Sequence, residues 1–512
     1  MTSGGFRYSG GVKVVRWRCV TYPGGGRVWC SGFNGGPRGP RPEAPENTPR
    51  PPEPPAAPVA FGRELPVGAL VFIVTSAQNA TARHGEFWET LEGIARHRNA
   101  ELLVVPLRYK NPTSVFTDKQ ESDEWWDADV TPYLWNRRLD LGPNLVLLGD
   151  WKIQPTASDP LTGADAVTGP LSGIVGHTKV ALRSIASTAG TDAKLMLSTG
   201  TCTVANYTDS RAGKLGEFHH SLAAVIVEVD GDVHHIRQLS WDQDGQCVVD
   251  LDMLYRPDGT VEKAPRPLAL VMGDTHVGEV DPGVEEATFG AGGIVESLKP
   301  HNLVWHDLFD GYSVNPHVTS PFEKVRRFKG GRSDVLREVG NAVGYVVAMT
   351  PTDTQSVVVS SNHGEFLRRW MNSHDWRNDP ENAEYYLELA LAMVKDPAAD
   401  PLELAFGWRS GVRVLRDNQS FILADVELAM HGHVGPNGSR GSAKNLRRTA
   451  LKSIIGHSHS PTITEGCWQT GTSSKLRLGY NNGPSSWMHA HVLLHASGKR
   501  QMLFIHDKGW RG

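Results

Sequence analysis

Strand-length apolar runs recur along the chain, and several stop abruptly at an Asp, an Asn or a His. The first run, ALVFIVTSAQN, is followed by TARHGEFWETLEGIARHR and then by AELLVVPLR. Phe87, Leu91 and Ile94 of the middle piece fall near helical spacing, while the flanking pieces are apolar throughout, as strands covered on both faces are. This predicts a β-α-β unit and a largely parallel sheet. Further strand candidates, PNLVLLGD, AKLMLSTG, HHSLAAVIVEVDG and DVHHIRQLSWD, extend an α/β domain of unassigned role across 62–255. Thr75, Gln78 and Asn79 close its first strand, at the edge where such sheets bind ligands or simply cap the next helix.

Asp258-Gly259 reads as a turn, and Pro265 and Pro267 mark entry to a second domain, 256–512. There LALVMGDTHVG, SLKPHNLVWHDLFD, SVVVSS and LKSIIGHSHSP each carry an apolar run to a polar tip. Helices are expected from Ser333 to about Val347 and, started by Asp379-Pro380, through ENAEYYLELALAMVKD. Short strands after Trp468, among them HAHVLLHA and QMLFIHD, predict the second sheet of a two-sheet α/β sandwich. At the other end, residues 36–61 are so proline-rich that a packed helix or central strand is excluded and an extended, disordered tether is expected. Residues 1–35 form a small basic appendage with strand-like pieces, in which Arg7, Lys13, Arg16, Arg18 and Arg27 alternate with aromatics. Such interleaving suits single-stranded nucleic acid, although a marginal hairpin with solvated charges is the plainer reading.

Bulk composition changes this picture little: 39% hydrophobic and 21% charged residues in 512 are ordinary for a globular chain. A formal charge of -4 removes any global attraction to polyanions, so nucleic-acid binding has to come from local basic patches. The five cysteines are scattered without a CxxC pair, which argues against a disulfide framework or structural zinc. No apolar run spans a bilayer and no signal peptide stands at the start, so a cytoplasmic protein with no membrane partner is expected.

The polar tips carry the chemistry. Asp274-Thr275-His276 is followed by His306-Asp307-Leu308-Phe309-Asp310, Ser361-Asn362-His363-Gly364-Glu365, His431-Gly432-His433 and Gly456-His457-Ser458-His459. Mixed Asp, His and Asn donors without thiolate suit borderline divalent ions. His457 and His459 share a face if the strand's extended backbone carries through them.

In order and spacing these blocks resemble the calcineurin-like metallophosphoesterase superfamily over about residues 264–512. More narrowly, the MHGHVGPNGSRGS stretch and the segment preceding the blocks resemble early pre-transfer, host-DNA-degradation proteins of tailed bacteriophages. The resemblance implies that Asp274, His276 and His459 hold one divalent ion and Asn362, His431 and His457 a second, with Asp307 bridging. It implies manganese first, with iron, zinc or magnesium as alternatives, and a two-metal-activated hydroxide that cuts a phosphodiester while His363 assists at the leaving oxygen. A homo-oligomer, DNA as partner and the host cytoplasm as location follow from the same likeness.

The chain departs from the pattern at His306 and Ser361, where the motif has Gly, and at Gly364, where an acid steadies the catalytic histidine. Glu365 or Asp375 is the candidate replacement, Asp310 and His306 are candidate outer partners, and His433 competes with His431 as ligand. Basic residues flank the blocks: Lys324 to Arg332; Arg368, Arg369 and Arg377; and Arg440, Lys444, Arg447, Arg448 and Lys452. Arg368, Arg369, Arg440, Lys444, Arg447 and Arg448 are the candidates for DNA-phosphate contacts. The expected function is a DNase of little sequence specificity, against a nucleotide or phosphoprotein phosphatase and a non-catalytic host-interaction protein that keeps the fold.

Overall fold

The predicted β-α-β unit forms: strands Val71–Gln78 and Glu101–Leu107 pair in parallel across helix Gly85–Arg98. The His84 side chain caps the helix by accepting the Phe87 N–H, and Asn99, left-handed at φ 47°, ends it. The computed structural model describes residues 62–66, 68–109, 125–188, 191–407, 412–479, 481–507 and 509–511, with the backbone of strands Trp17–Thr21 and Arg27–Ser31. Those two strands pair as an antiparallel hairpin within a first unit, Met1–Val59. The basic and aromatic side chains of 1–35 and the Pro-rich tether lie outside the described residues.

Everything from Ala60 to Gly512 forms one unit built on three sheets. The seven-stranded sheet runs 261–263, 253–255, 247–250, 233–242, 223–230, 71–78, 101–107. It is mixed, whereas a largely parallel sheet was expected: only the 71–78 and 101–107 strands run parallel. The cause is a tight turn at Gly231 (φ 55°), which folds Ala223–Asp230 back on Val233–Asp242, and an antiparallel meander continues from there to Lys263. Thr75, Gln78 and Asn79 are engaged in hydrogen bonds within the fold. Thr75 donates to the Ala223 carbonyl at 2.9 Å, Gln78 to the Asn206 carbonyl at 2.6 Å, and Asn79 accepts the Tyr109 N–H at 2.6 Å.

The six-stranded sheet sets the order 412–414, 355–358, 302–305, 269–271, 490–494, 500–504. Its first four strands are parallel, so their carboxyl ends lie side by side at one edge. Helices Val335–Met349, Gly364–Ser373 and Pro401–Phe406 cover its outer face through Val343, Leu367 and Phe406. The inner face meets a ten-stranded sheet, giving the expected two-sheet sandwich. That second sheet is not drawn from the C-terminal half alone. Strands 138–142, 145–148, 172–175, 182–185 and 194–198 join 452–455, 462–464 and 467–469, through an antiparallel pairing of Thr462 with Arg183 and Ile463 with Leu182. One core then holds Val74, Leu103 and Leu195 together with Val271, Ile454 and Val492. The boundary expected at 255/256 therefore falls within a shared sheet and a shared core. Among the described residues, no helix is long and apolar enough to cross a membrane.

Candidate metal centre

The three parallel strands 269–271, 302–305 and 355–358 deliver Asp274, Asp307 and Asn362 to one edge, and backbone bonds lock the loops together. The Thr275 and His276 N–H groups donate to the His306 and Asp307 carbonyls at 3.0 and 2.8 Å, and the Gly456 N–H to that of His431 at 2.8 Å. Four of the expected ligands sit in left-handed backbone: His276 (φ 49°), Asp307 (40°), His457 (79°) and His459 (58°). Such conformations cost on the order of 1–3 kcal/mol each and gather at functional sites. They also correct the expectation of extended backbone through His457 and His459. The strand ends at Ile455, and the two rings part company.

His459 joins Asp274, His276 and Asp307, whose potential ligand atoms all lie within 4.8 Å of one another and whose side chains are buried. His457 joins Asp307 and His431 in a second group of the same kind. Asp307 belongs to both. In the first group His459 Nε2 is 3.1 Å from Asp274 Oδ2 and 3.1 Å from His276 Nε2. In the second, His431 Nε2 is 3.1 Å from Asp307 Oδ2 and 3.1 Å from Asn362 Oδ1. His433 turns instead toward Glu365, 3.4 Å away, and enters neither group. Gly456 makes this closeness possible, since a Cβ there would stand 2.2 Å from Asp274 Oδ1.

These residues fit divalent cations. Asp274 Oδ1 and Asp307 Oδ1 are buried with no hydrogen-bond partner, and an unsatisfied buried carboxylate oxygen is costly unless a cation meets it. His276 Nε2 and His459 Nε2 lie 3.1 Å apart, a spacing at which they share either a proton or a cation. The field agrees. Burial opposes charge on His276, yet Asp310, Asp307 and Asp274 outweigh it and lift its pKa to about 9. Burial also opposes ionisation of Asp307, but His431 and His363 hold it well below the usual carboxylate range. Burial pushes His306 and His457 down to about 4, with His431 adding to the effect.

Asp310 holds the far nitrogen of His276 at 3.0 Å and so fixes that ring. His363 Nδ1 donates to the Asp310 backbone carbonyl at 2.6 Å, and its ring lies 4.7 Å from that of His276. Of the acids expected to steady His363, Glu365 engages His433 and Arg369, and Asp375 binds Arg377 and Asn378 in its own turn. A carbonyl takes that place. His306 is fully buried behind His431, their Nδ1 atoms 3.3 Å apart.

The flanking cations divide. Arg368 is bound to Asp400 at 2.6 Å and Arg369 to Glu365 at 2.7 Å, while Arg448 is exposed. Arg440, Lys444 and Arg447 line a groove of about 1240 Å³ that reaches His457. Lys179 and Arg183 line it too, from the N-terminal half, where sequence pointed only to Thr75, Gln78 and Asn79. The only advance signal was charge, which surface strands carry anyway.

Over 453 residues the chain is 32% identical to Protein A1 of Escherichia phage T5, an alignment covering 84% of this chain and 81% of that protein. No family model matches, and no solved structure does.

Proposed function

Because the chain belongs to the family of phage T5 Protein A1 and carries the centre of a calcineurin-like, metal-dependent phosphoesterase, we propose that it is a DNA nuclease with little sequence preference, acting on host DNA. The observation that carries this reading is Asp307, buried and shared by two of the ligand groups, each containing a carboxylate oxygen without a partner. Asp274, His276 and His459 would hold one ion and Asn362, His431 and His457 the other, with Asp307 serving both. Oxygen and imidazole donors without thiolate favour manganese, with iron, zinc and magnesium as competitors. When bound, such a pair supplies Lewis acidity to a phosphodiester and acidifies a water near neutral pH.

The chain's own residues do the rest. Asp310 orients His276, and its carbonyl pins His363 Nδ1, so that Nε2 has no protein partner among the described residues. His363 is partly exposed, at the surface of the centre, and serves as the acid that protonates the leaving alkoxide. A phosphatase for a nucleotide or phosphoprotein would want a closed pocket; the open groove of about 1240 Å³ reaching His457 supports the polymer instead.

Incubation of the purified protein with manganese and plasmid or linear DNA tests the assignment. Fragmentation that stops on chelation is expected. DNA that stays whole while small phosphodiesters or phosphoproteins are hydrolysed overturns it.

A further inference from the structure

A nuclease needs a track for its polymer as well as a centre that cuts. The groove reaching His457 has one wall from the C-terminal half, Arg440–Asn445 and Arg447 with Thr462–Glu465, and another from the N-terminal half, Ser158–Leu161 with Lys179 and Ala181–Arg183. The two walls are joined by the Thr462–Arg183 strand pairing, so the groove is built into one sheet. Five cations line it against two carboxylates, Asp159 and Glu465, in a chain whose overall charge is negative. Hydroxyls complete the lining, and no Phe, Tyr or Trp is among its residues.

We propose that this groove carries the DNA backbone away from the metals, and that the N-terminal half serves the enzyme as its second wall. The assignment rests on the nuclease reading. Lysine, arginine and hydroxyl contacts grip phosphate without reading sequence, and a lining without Phe, Tyr or Trp lacks the usual platforms on which successive bases stack. Grip on the backbone alone is sequence-blind and strongly salt-dependent.

The cations are not equivalent. Arg183 is bound to Asp159 at 2.6 Å, and Glu465 accepts from Arg447 at 2.7 Å and lies 3.5 Å from Lys179 Nζ and 3.7 Å from His219 Nε2. The Glu465 carboxylate thus holds Lys179 and Arg447 close together and offsets part of their charge. Arg440 and Lys444 have no carboxylate partner among the described residues and supply the unshared attraction.

The test uses the full-length protein with Arg183→Gln, Lys444→Gln and the double substitution, one cation from each wall, both on the surface. Binding of a fluorescein-labelled oligodeoxynucleotide is followed by anisotropy in chelator across a salt series. KM is measured with manganese for DNA and for bis(p-nitrophenyl) phosphate, which is too small to span the groove. Lys444→Gln lowers the slope of log affinity against log salt by about one, Arg183→Gln by less, and the double variant by nearly two. KM for DNA rises relative to KM for the small diester by roughly threefold per lost contact, while kcat for both substrates moves together. An Arg183→Gln protein with wild-type slope and wild-type KM ratio removes the N-terminal wall from the track and leaves the nuclease reading standing. A wild-type protein that splits the small diester but neither binds nor cuts DNA overturns both.

Discussion

The buried charge cluster of the seven-stranded sheet and the one at the strand tips are built on opposite plans. In the seven-stranded sheet Arg237 donates to both oxygens of Asp250 at 2.8 and 2.9 Å and also binds Glu228, while Arg98 and Gln501 take up remaining acceptors. Each carboxylate there has its donors. At the strand tips, Asp274, Asp307 and Asp310 are surrounded by imidazoles, yet two carboxylate oxygens stay unmatched and two ring nitrogens confront each other. The first network is complete as protein and stiffens the sheet. The second becomes complete only with cations, and the difference separates structural from functional burial of charge.

The sharpest break comes at Asp307, the acid common to both ligand groups. Asp307→Asn is expected to lower kcat on a small phosphodiester about a thousandfold or more, the scale of losing one transition-state contact and a metal position together, with metal content by mass spectrometry falling in parallel. The matching cut in the finished network, Asp250→Ala, strands Arg237 without its bidentate partner. It should cost about 3–5 kcal/mol of stability in denaturant titration, and manganese should not restore it beyond the gain seen in wild type.

Metal itself sharpens the contrast. At about a hundredfold excess over Kd, manganese stabilises the wild-type fold by about 2.7 kcal/mol, a gain visible in thermal melts and lost in Asp307→Asn. Asp310→Asn, which weakens the hold on His276 without touching the groove, is expected to reduce turnover or metal affinity about 10–100-fold. Taken per residue and per pH unit, the smallest effect is that of acid. Burial pushes His177 down to about 4 and His491 down to about 3, so each is neutral when folded and binds its proton more readily once unfolded. Their contribution is full above about pH 6.5 and declines as pH falls toward 4 and 3. The loss is up to about 1.4 kcal/mol per pH unit for each, measurable by melts of the metal-free protein.

The strand tips were legible in sequence because a buried parallel strand is a continuous apolar run, and its end is where the run stops. Asp274, Asp307 and Asn362 could be placed that way. What pattern could not reach was pairing between distant segments. Nothing local in Leu182–Ile185 announces that it lies beside Thr462–Thr464, so the shared sheet, the second wall of the groove, and Lys179 and Arg183 all escaped. Backbone chemistry is equally silent: the partner of His363 is a carbonyl, which every residue has, and the left-handed turns at His457 and His459 occur without glycine. The Gly231 turn could have been read, and with it the antiparallel meander that follows.

The lacing of early and late segments into one sheet also sets a timetable for synthesis. Asp274 is held from behind by Gly471 and Ser473, and His491 accepts the Gly273 N–H at 2.9 Å. Strands from residues 138–198 pair among themselves, but Leu182–Ile185 gains its other neighbour only once Thr462–Thr464 emerges from the ribosome. A nascent chain therefore has no working blade until nearly all of it has been made, and truncated products are left blunt.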